Sequence, residues 1–266
     1  MYKMIVVDLD GTILDKNREI SESTKEYLKM LKGKGYIITI ATGRIYALAL
    51  KATDGAEFAN YIISDTGTCV YDRSNDNPIF KNVIAKNTLS KLFNYYSDRC
   101  HYIDFCNKDT IYKYSDEIEN NEIIKTVKDK DYILNNCTDI SHICISMKSN
   151  EEVISVYNKM TKEIPELETI IMQDSFLDRK WIDAMPKGCS KYNKIKMLSE
   201  YLGISNNEII AFGDGLNDIE MLEKCGYGVA LQNALPEVKK VADEVTVYDH
   251  NHDGVIKYLK EHLNVN

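Results

Sequence analysis

Apolar and polar positions change rhythm twice along the chain. MIVVDL (4–9) is a continuous apolar run rich in β-branched residues, which predicts a strand buried on both faces. YIITIA (36–41) and YIIS (61–64) repeat that pattern. Between them, Ser23 to Glu26 has the S-x-x-E spacing of a helix start. Tyr27, Leu28 and Leu31 then share one side, and Gly33 and Gly35 end the helix. A short helix is predicted over about 45–52, and Asp65-Thr66-Gly67-Thr68 reads as a turn into CVY (69–71).

After about residue 80 the pattern differs. A helix over 87–98 leads to HYIDFC and TIYKY, joined by Asn107-Lys108-Asp109 as a hairpin. ICISMK (143–148) alternates like a half-exposed antiparallel strand, and a helix over 150–163 follows. ETIIMQ and RKWIDAM flank Asp174-Ser175 as a second hairpin. From 188 the strand–helix alternation returns, with helices over 190–202, 217–225, 236–242 and 253–263. Strands fall at EIIAFGDG (208–215), YGVAL (227–231) and EVTV (244–247). The fold class is therefore α/β: a Rossmann-like parallel-sheet domain, 1–82 plus 183–266, with an α+β module inserted at 83–182.

Charge narrows the function. The 266 residues carry a net charge of −8, and Arg is confined to positions 18, 44, 73, 99 and 179. Such a chain lacks the basic face of a nucleic-acid binder. An anionic ligand would need placed cations, backbone N–H groups or a metal. No apolar run approaches the roughly 18 residues that span a bilayer, and MYKMIVVDLDGT does not read as a signal peptide. The seven Cys are scattered without a CxxC pair, as expected of reduced thiols in a cytoplasm. His250 and His252 read as a solvated loop, not a zinc site.

The candidate chemistry sits at strand ends, where open parallel sheets bind ligands. Asp8-Leu9-Asp10-Gly11-Thr12, Thr42-Gly43-Arg44, Asp65-Thr66-Gly67 and Gly213-Asp214-Gly215-Leu216-Asn217-Asp218 all lie there, and Gly188-Cys189-Ser190-Lys191 opens a helix. Gly11 lets the chain turn, so Asp8 and Asp10 can converge with Asp214 on an oxygen-rich site that suits Mg²⁺. The Thr42 hydroxyl and the Gly43 N–H suit phosphate oxygens. Register after Gly188-Cys189-Ser190 selects Lys191, over Lys187 and Lys194, as the charge that meets a phosphoryl group. The alternative readings are Thr42 as a cap of helix 45–52 and Asp218 as an acid favouring its helix dipole, and Arg44 either contacts substrate or pairs with an acid at the rim.

In that order, DLDGT, ATGR, a Lys at a helix start and GDGLND resemble the four motifs of the haloacid dehalogenase (HAD) phosphatase superfamily. YGVALQNALPEVKKVADEVT and HDGV resemble the tail of its Cof-type subfamily, which carries a large α/β cap between the second and third motifs. The resemblance implies a Mg²⁺-dependent phosphomonoester hydrolase acting through an aspartyl-phosphate. Asp8 would be the nucleophile and Asp10 the acid and base. Mg²⁺ would lie among Asp8, Asp10 (through its backbone carbonyl), Asp214 and Asp218. Thr42, Gly43 and Lys191 would hold the phosphoryl oxygens, and Asn217 and Asp218 would orient Lys191, metal-bound water or phosphate. The family often has Asn at the position of Thr66 and Gly at that of Tyr192.

The implied substrate is a small phosphorylated metabolite of the sugar phosphate, pyridoxal phosphate or flavin mononucleotide class. The alternative is a sugar-phosphate mutase or phosphotransferase with the same nucleophile. Such a mutase typically grips a second phosphate with cap Arg side chains, and here the module has only Arg99 and Arg179. Its aromatics Tyr102, Phe105, Tyr112, Tyr114, Phe176 and Trp181 either shape a leaving-group pocket or pack the module's own core.

Overall fold

The computed structural model describes residues 2–173 and 179–263. In chain order it contains β1 (Met4–Val7), α1 (Glu22–Gly33), β2 (Ile37–Ala41), α2 (Tyr46–Ala52), β3 (Tyr61–Ser64), β4 (Cys69–Asp72) and β5 (Asn77–Lys81). Then come α3 (Lys86–Tyr96), β6 (Tyr102–Cys106), β7 (Ile111–Ser115), β8 (Ile124–Thr126), α4 (Lys130–Asn136), β9 (His142–Ser146), α5 (Asn150–Glu163), β10 (Leu167–Gln173) and β11 (Lys180–Pro186). The last part holds α6 (Lys191–Leu202), β12 (Ile209–Gly213), α7 (Ile219–Lys224), β13 (Tyr227–Ala230), α8 (Pro236–Val241), β14 (Glu244–Val245) and α9 (Gly254–His262).

The chain divides into two compact units, Met1–Phe80 with Ser190–Asn266, and Lys81–Cys189. The second junction falls later than residue 183 because β11 stays paired with β10 as far as Pro186.

The first unit is built on an eight-stranded sheet in the order β14-β13-β12-β1-β2-β3-β4-β5. Pairing is parallel from β14 to β3, and β4 turns back antiparallel on β3. β1 alternates between two cores. Ile5 and Val7 pack with Leu28 and Leu31 of α1 and Leu259 of α9. Met4 and Val6 pack with Leu198 of α6, Leu222 of α7 and Val238 of α8. Helices cover both faces, which is why the strands read as unbroken apolar runs. The chain leaves β1 towards β2 on one side, and β12 lies on the other. The strand order therefore reverses between β1 and β12, and that crevice is where such sheets bind ligands.

The second unit carries a six-stranded sheet, β10-β11-β9-β6-β7-β8. Its pairs are antiparallel except β7 with β8. Ile103, Ile145 and Ile182 align across β6, β9 and β11 and enter its core. One residue on, the row Lys113, Asp104, Cys144, Asp183 crosses four strands on the opposite face. Alternation thus divides the aromatics: Phe105 lies in the core, with Tyr112 and Tyr114 packed against it, whereas Tyr102 and Trp181 fall on the polar face with Asp104 and Asp183. Phe176 and the Asp174-Ser175 turn lie outside the described residues.

The polar row has a measurable consequence. Burial pushes the Asp104 carboxyl from 3.8 up to about 6, against the lowering effect of Lys113 at 4.0 Å. The folded state therefore holds this proton more tightly than the unfolded chain, and stability falls as pH rises from about 4 through 6. Asp104→Asn should raise stability at pH 8 by about 1–3 kcal/mol, the upper end being the full two-unit shift. The gain should vanish at pH 4, which melting curves at the two pH values would show.

Several elements depart from the sequence expectation. The cap of α1 is Ser21, whose Oγ accepts from Thr24 N at 3.1 Å. Ser23 instead donates to Asp253 at 2.8 Å. The helix expected over 217–225 begins as a 3₁₀ turn, Leu216–Asp218. β5, β8 and α4 are additions, and β14 ends at Val245.

Candidate active site

Asp8 directly follows β1, and its N–H still donates to Phe212 O of β12 at 3.0 Å, so the two strand ends lie side by side. Gly11 then takes φ +74°, and a Cβ there would lie 2.2 Å from Asp214 Oδ2. Only glycine lets the turn after β1 close against the acid that follows β12. Thr12 stands between the two acids, its Oγ1 at 3.3 Å from Asp8 Oδ2 and 3.2 Å from Asp214 Oδ1. A hydroxyl has one proton, so Thr12 donates to one carboxylate at a time.

Lys191 is the first residue of α6, after Ser190, whose Oγ accepts from Asn193 N at 3.1 Å. That cap aims the Lys191 side chain into the crevice. Its Nζ lies 2.7 Å from Asp8 Oδ1 and 2.6 Å from Asp218 Oδ1, with the side chain wholly buried. Asp218 Oδ2 accepts from the backbone N–H groups of Asp214 and Gly215, both at 3.0 Å. Asp218 is thus more than a dipole acid: it folds the loop after β12 and holds Lys191.

Asp8, Asp214 and Asp218 offer carboxylate oxygens within 4.8 Å of one another. Lys191 pairs with two of them, which leaves the cluster negative. Burial, and then the charge of Asp8, pushes the Asp214 carboxyl up to about 8. Burial outweighs Lys191 at Asp8 and raises it as well, whereas the two acids hold Lys191 protonated. A hard divalent cation fits this all-oxygen set and would relieve the repulsion that raises both acids. The available oxygens are mainly those of Asp8 and Asp214, because Asp218 is committed to Lys191 and two amides.

Asp10, the fourth acid expected there, directs its carboxylate elsewhere. Arg44 clamps it with two bonds, Nε to Oδ2 at 2.7 Å and Nη2 to Oδ1 at 2.5 Å. Of the two options for Arg44, the structure shows the acid partner. Thr42 is fully buried, and its Oγ1 accepts from Arg44 N at 3.1 Å. It bends its own loop and does not cap α2, whose N-cap Ile45 makes no side-chain bond. Gly43 faces Asn217: a Cβ on it would stand 3.7 Å from Asn217 Nδ2 and 3.4 Å from Thr66 Oγ1. The structure therefore groups Asp8, Asp214, Asp218 and Lys191, sets Gly43 beside Asn217, and ties Asp10 to Arg44.

Motif reading assigns no role to two polar residues at this site. Thr12 is visible only as part of DLDGT. Asn233, in the loop after β13, donates to Gly11 O at 2.8 Å and Asp214 Oδ2 at 3.3 Å. It lies within the stretch YGVALQNALPEVKKVADEVT, but nothing in that stretch gives its amide a role at the site.

Comparison with known proteins identifies the family. Residues 5–259 match the family model of the haloacid dehalogenase-like hydrolases. The chain is 28% identical over 282 residues to 5-amino-6-(5-phospho-D-ribitylamino)uracil phosphatase YitU of Bacillus subtilis, with 98% of each chain covered. It is 29% identical over 264 residues to the putative phosphatase YkrA of the same organism, covering 97% of each. A crystal structure of a haloacid dehalogenase-like hydrolase from Bacteroides thetaiotaomicron shares the fold, with a TM-score of 0.82 at 24% identity over 98% of this chain and 99% of that one. With the family model spanning nearly its whole length and acids, lysine and glycine turns at the strand ends, the chain belongs to the haloacid dehalogenase-like hydrolases.

Proposed function

We propose that this hydrolase cleaves a small phosphorylated metabolite in the cytoplasm through an aspartyl-phosphate on Asp8, with Mg²⁺ as cofactor. The observation that carries the proposal is the buried Asp8 carboxylate, fixed by Lys191 at 2.7 Å beside Asp214. An Asp8 oxygen attacks phosphorus, forming the Asp8 O–P bond as the bond to the leaving oxygen breaks. Asp10 gives its proton to the leaving oxygen, then takes one from the water that releases phosphate and restores Asp8. The Arg44 clamp occupies both carboxylate oxygens of Asp10, and the guanidinium has to shift before either can meet the leaving oxygen. Lys191 offsets charge on the transferring group, while Thr42, Gly43 and Asn217 receive its oxygens. Mg²⁺ held by Asp8 and Asp214, with Asp218 behind them, supplies Lewis-acid charge when bound.

The substrate class is supported by YitU, whose name specifies a phosphorylated ribitylaminouracil. Sugar phosphates, pyridoxal phosphate and flavin mononucleotide remain in the same class. Among the described residues no helix is long and apolar enough to cross a membrane. The second unit, 81–189, is proposed as the cap that sets substrate choice. Its Arg179 is engaged with Ser146 Oγ at 2.9 Å and lies over the Tyr102 ring, which does not favour the mutase alternative.

Release of inorganic phosphate from an aryl phosphate tests hydrolysis against phosphotransfer. EDTA should abolish that release and excess Mg²⁺ should restore it. Full activity after exhaustive chelation would exclude a cation from the reaction.

A further inference from the structure

Asn233 is not in any of the four strand-end clusters, yet its amide joins three loops of the first unit. Its Nδ2 donates to Gly11 O at 2.8 Å and to Asp214 Oδ2 at 3.3 Å. Its Oδ1 accepts from His250 N at 3.0 Å. Both protons and the carbonyl oxygen are used, and neither aspartate nor leucine, though similar in size, could make the same set. The loop that carries Asn233 is itself pinned to the end of β12, by Leu231 N to Gly213 O at 3.1 Å and Leu235 N to Asp214 O at 3.2 Å.

The three acids of the crevice are held in different ways. Asp8 and Asp218 share the charge of Lys191. Asp214 has no ion pair among the described residues; its Oδ1 is near the Thr12 hydroxyl and its Oδ2 accepts from the Asn233 amide. Neutral donors fix a carboxylate's direction without cancelling its charge. That is the support a ligand of a cation needs, since such outer partners orient the ligand while a carboxylate that accepts two hydrogen bonds keeps further lone pairs for a cation.

We propose that Asn233 is a positioning residue for the cation site: it orients Asp214 and ties it to the Gly11 turn, so that the two loops form one preset pair of ligands. The inference rests on the cation site of the proposed hydrolysis. Loss of the amide should weaken cation binding and leave the nucleophile intact, because Asp8 keeps both of its own partners, Lys191 and Thr12.

The test is calorimetric titration of the metal-free full chain with Mg²⁺, which needs no substrate. Asn233→Ala should weaken binding by about 10- to 100-fold, the usual cost of losing an outer partner. Asn233→Ser, which keeps one donor, should fall between Ala and the parent, and it serves as the readout if the Ala variant does not fold. Gln232→Ala, in the same loop with an exposed side chain, should bind as the parent does. With an aryl phosphate, saturating Mg²⁺ should restore most of the kcat of the Asn233 variants. A residue that only supports the fold would lower kcat at every Mg²⁺ concentration. Asp214→Asn, titrated in parallel, should lose binding. Parent-like affinity in both Asn233 variants, with binding lost in Asp214→Asn, would overturn the role of Asn233 and leave the cation site standing. Undiminished binding in Asp214→Asn would overturn both.

Discussion

Asp8→Asn should lower kcat by at least about 10³-fold while the protein stays folded. The amide keeps the size of the carboxylate but loses its charge and nucleophilic oxygen. In the crevice its carbonyl can still accept from Lys191 Nζ, which stands 2.7 Å from Asp8 Oδ1. The substitution removes one of three crowded acids, and with it the charge of Asp8 that adds to burial in raising the Asp214 carboxyl. Thermal stability without metal should therefore be equal to or above that of the parent. Inactivity in a folded protein is the informative combination. A purified variant that kept a tenth of the parent's kcat would show that Asp8 is not the nucleophile.

Lys191→Ala should lower kcat by about 10²- to 10³-fold, the usual cost of removing a preorganised group that meets charge developing in the transition state. Unlike Asp8→Asn, it should also destabilise. Lys191 is the cation paired with both Asp8 and Asp218, all three side chains being buried or nearly so. Removing one partner of such a set leaves buried charge uncompensated, at a cost of about 3–5 kcal/mol. Lys187 is exposed, and Lys194, though buried, has its Nζ 3.8 Å from Met197 Sδ one turn further along α6. Alanine at either should leave kcat within about threefold of the parent, as a residue outside the transition state should. Equal losses at all three positions, measured on folded protein, would contradict the place given to Lys191.

The polar residues at the strand ends are legible in the sequence because their constraints are local. An apolar strand that ends in DLDGT can place Asp8 only at the sheet edge, and Ser190 fixes the register that selects Lys191. Bonds between distant segments are not legible in this way. Asn233 reaches Gly11 across 222 positions, and nothing in QNALP marks its amide as a partner of Asp214. Arg44 had two options in the sequence, and the choice of Asp10 follows from how two loops meet. The start of α1 moved because Ser21 and Ser23 are both competent caps; Asp253, 230 positions away, takes the hydroxyl of Ser23. In the second unit, alternation separates Phe105 from Tyr102, but it cannot say which face is covered. β8 has only three residues, Ile124–Thr126, and α4 is seven residues long, too short for either to show a period.

In the proposed reaction the phosphoryl group passes through Asp8. The most direct measurement is a single turnover of an aryl phosphate by Asp10→Asn, quenched in acid and followed by peptide mass analysis. An aryl leaving group needs little help from an acid, so the first step should survive. The second step lacks its base, so the phosphorylated enzyme should accumulate. The expected product is one hydroxylamine-sensitive phosphate per chain on the peptide carrying Asp8. Release of phosphate with none on that peptide, or a phosphate on another side chain, would contradict it.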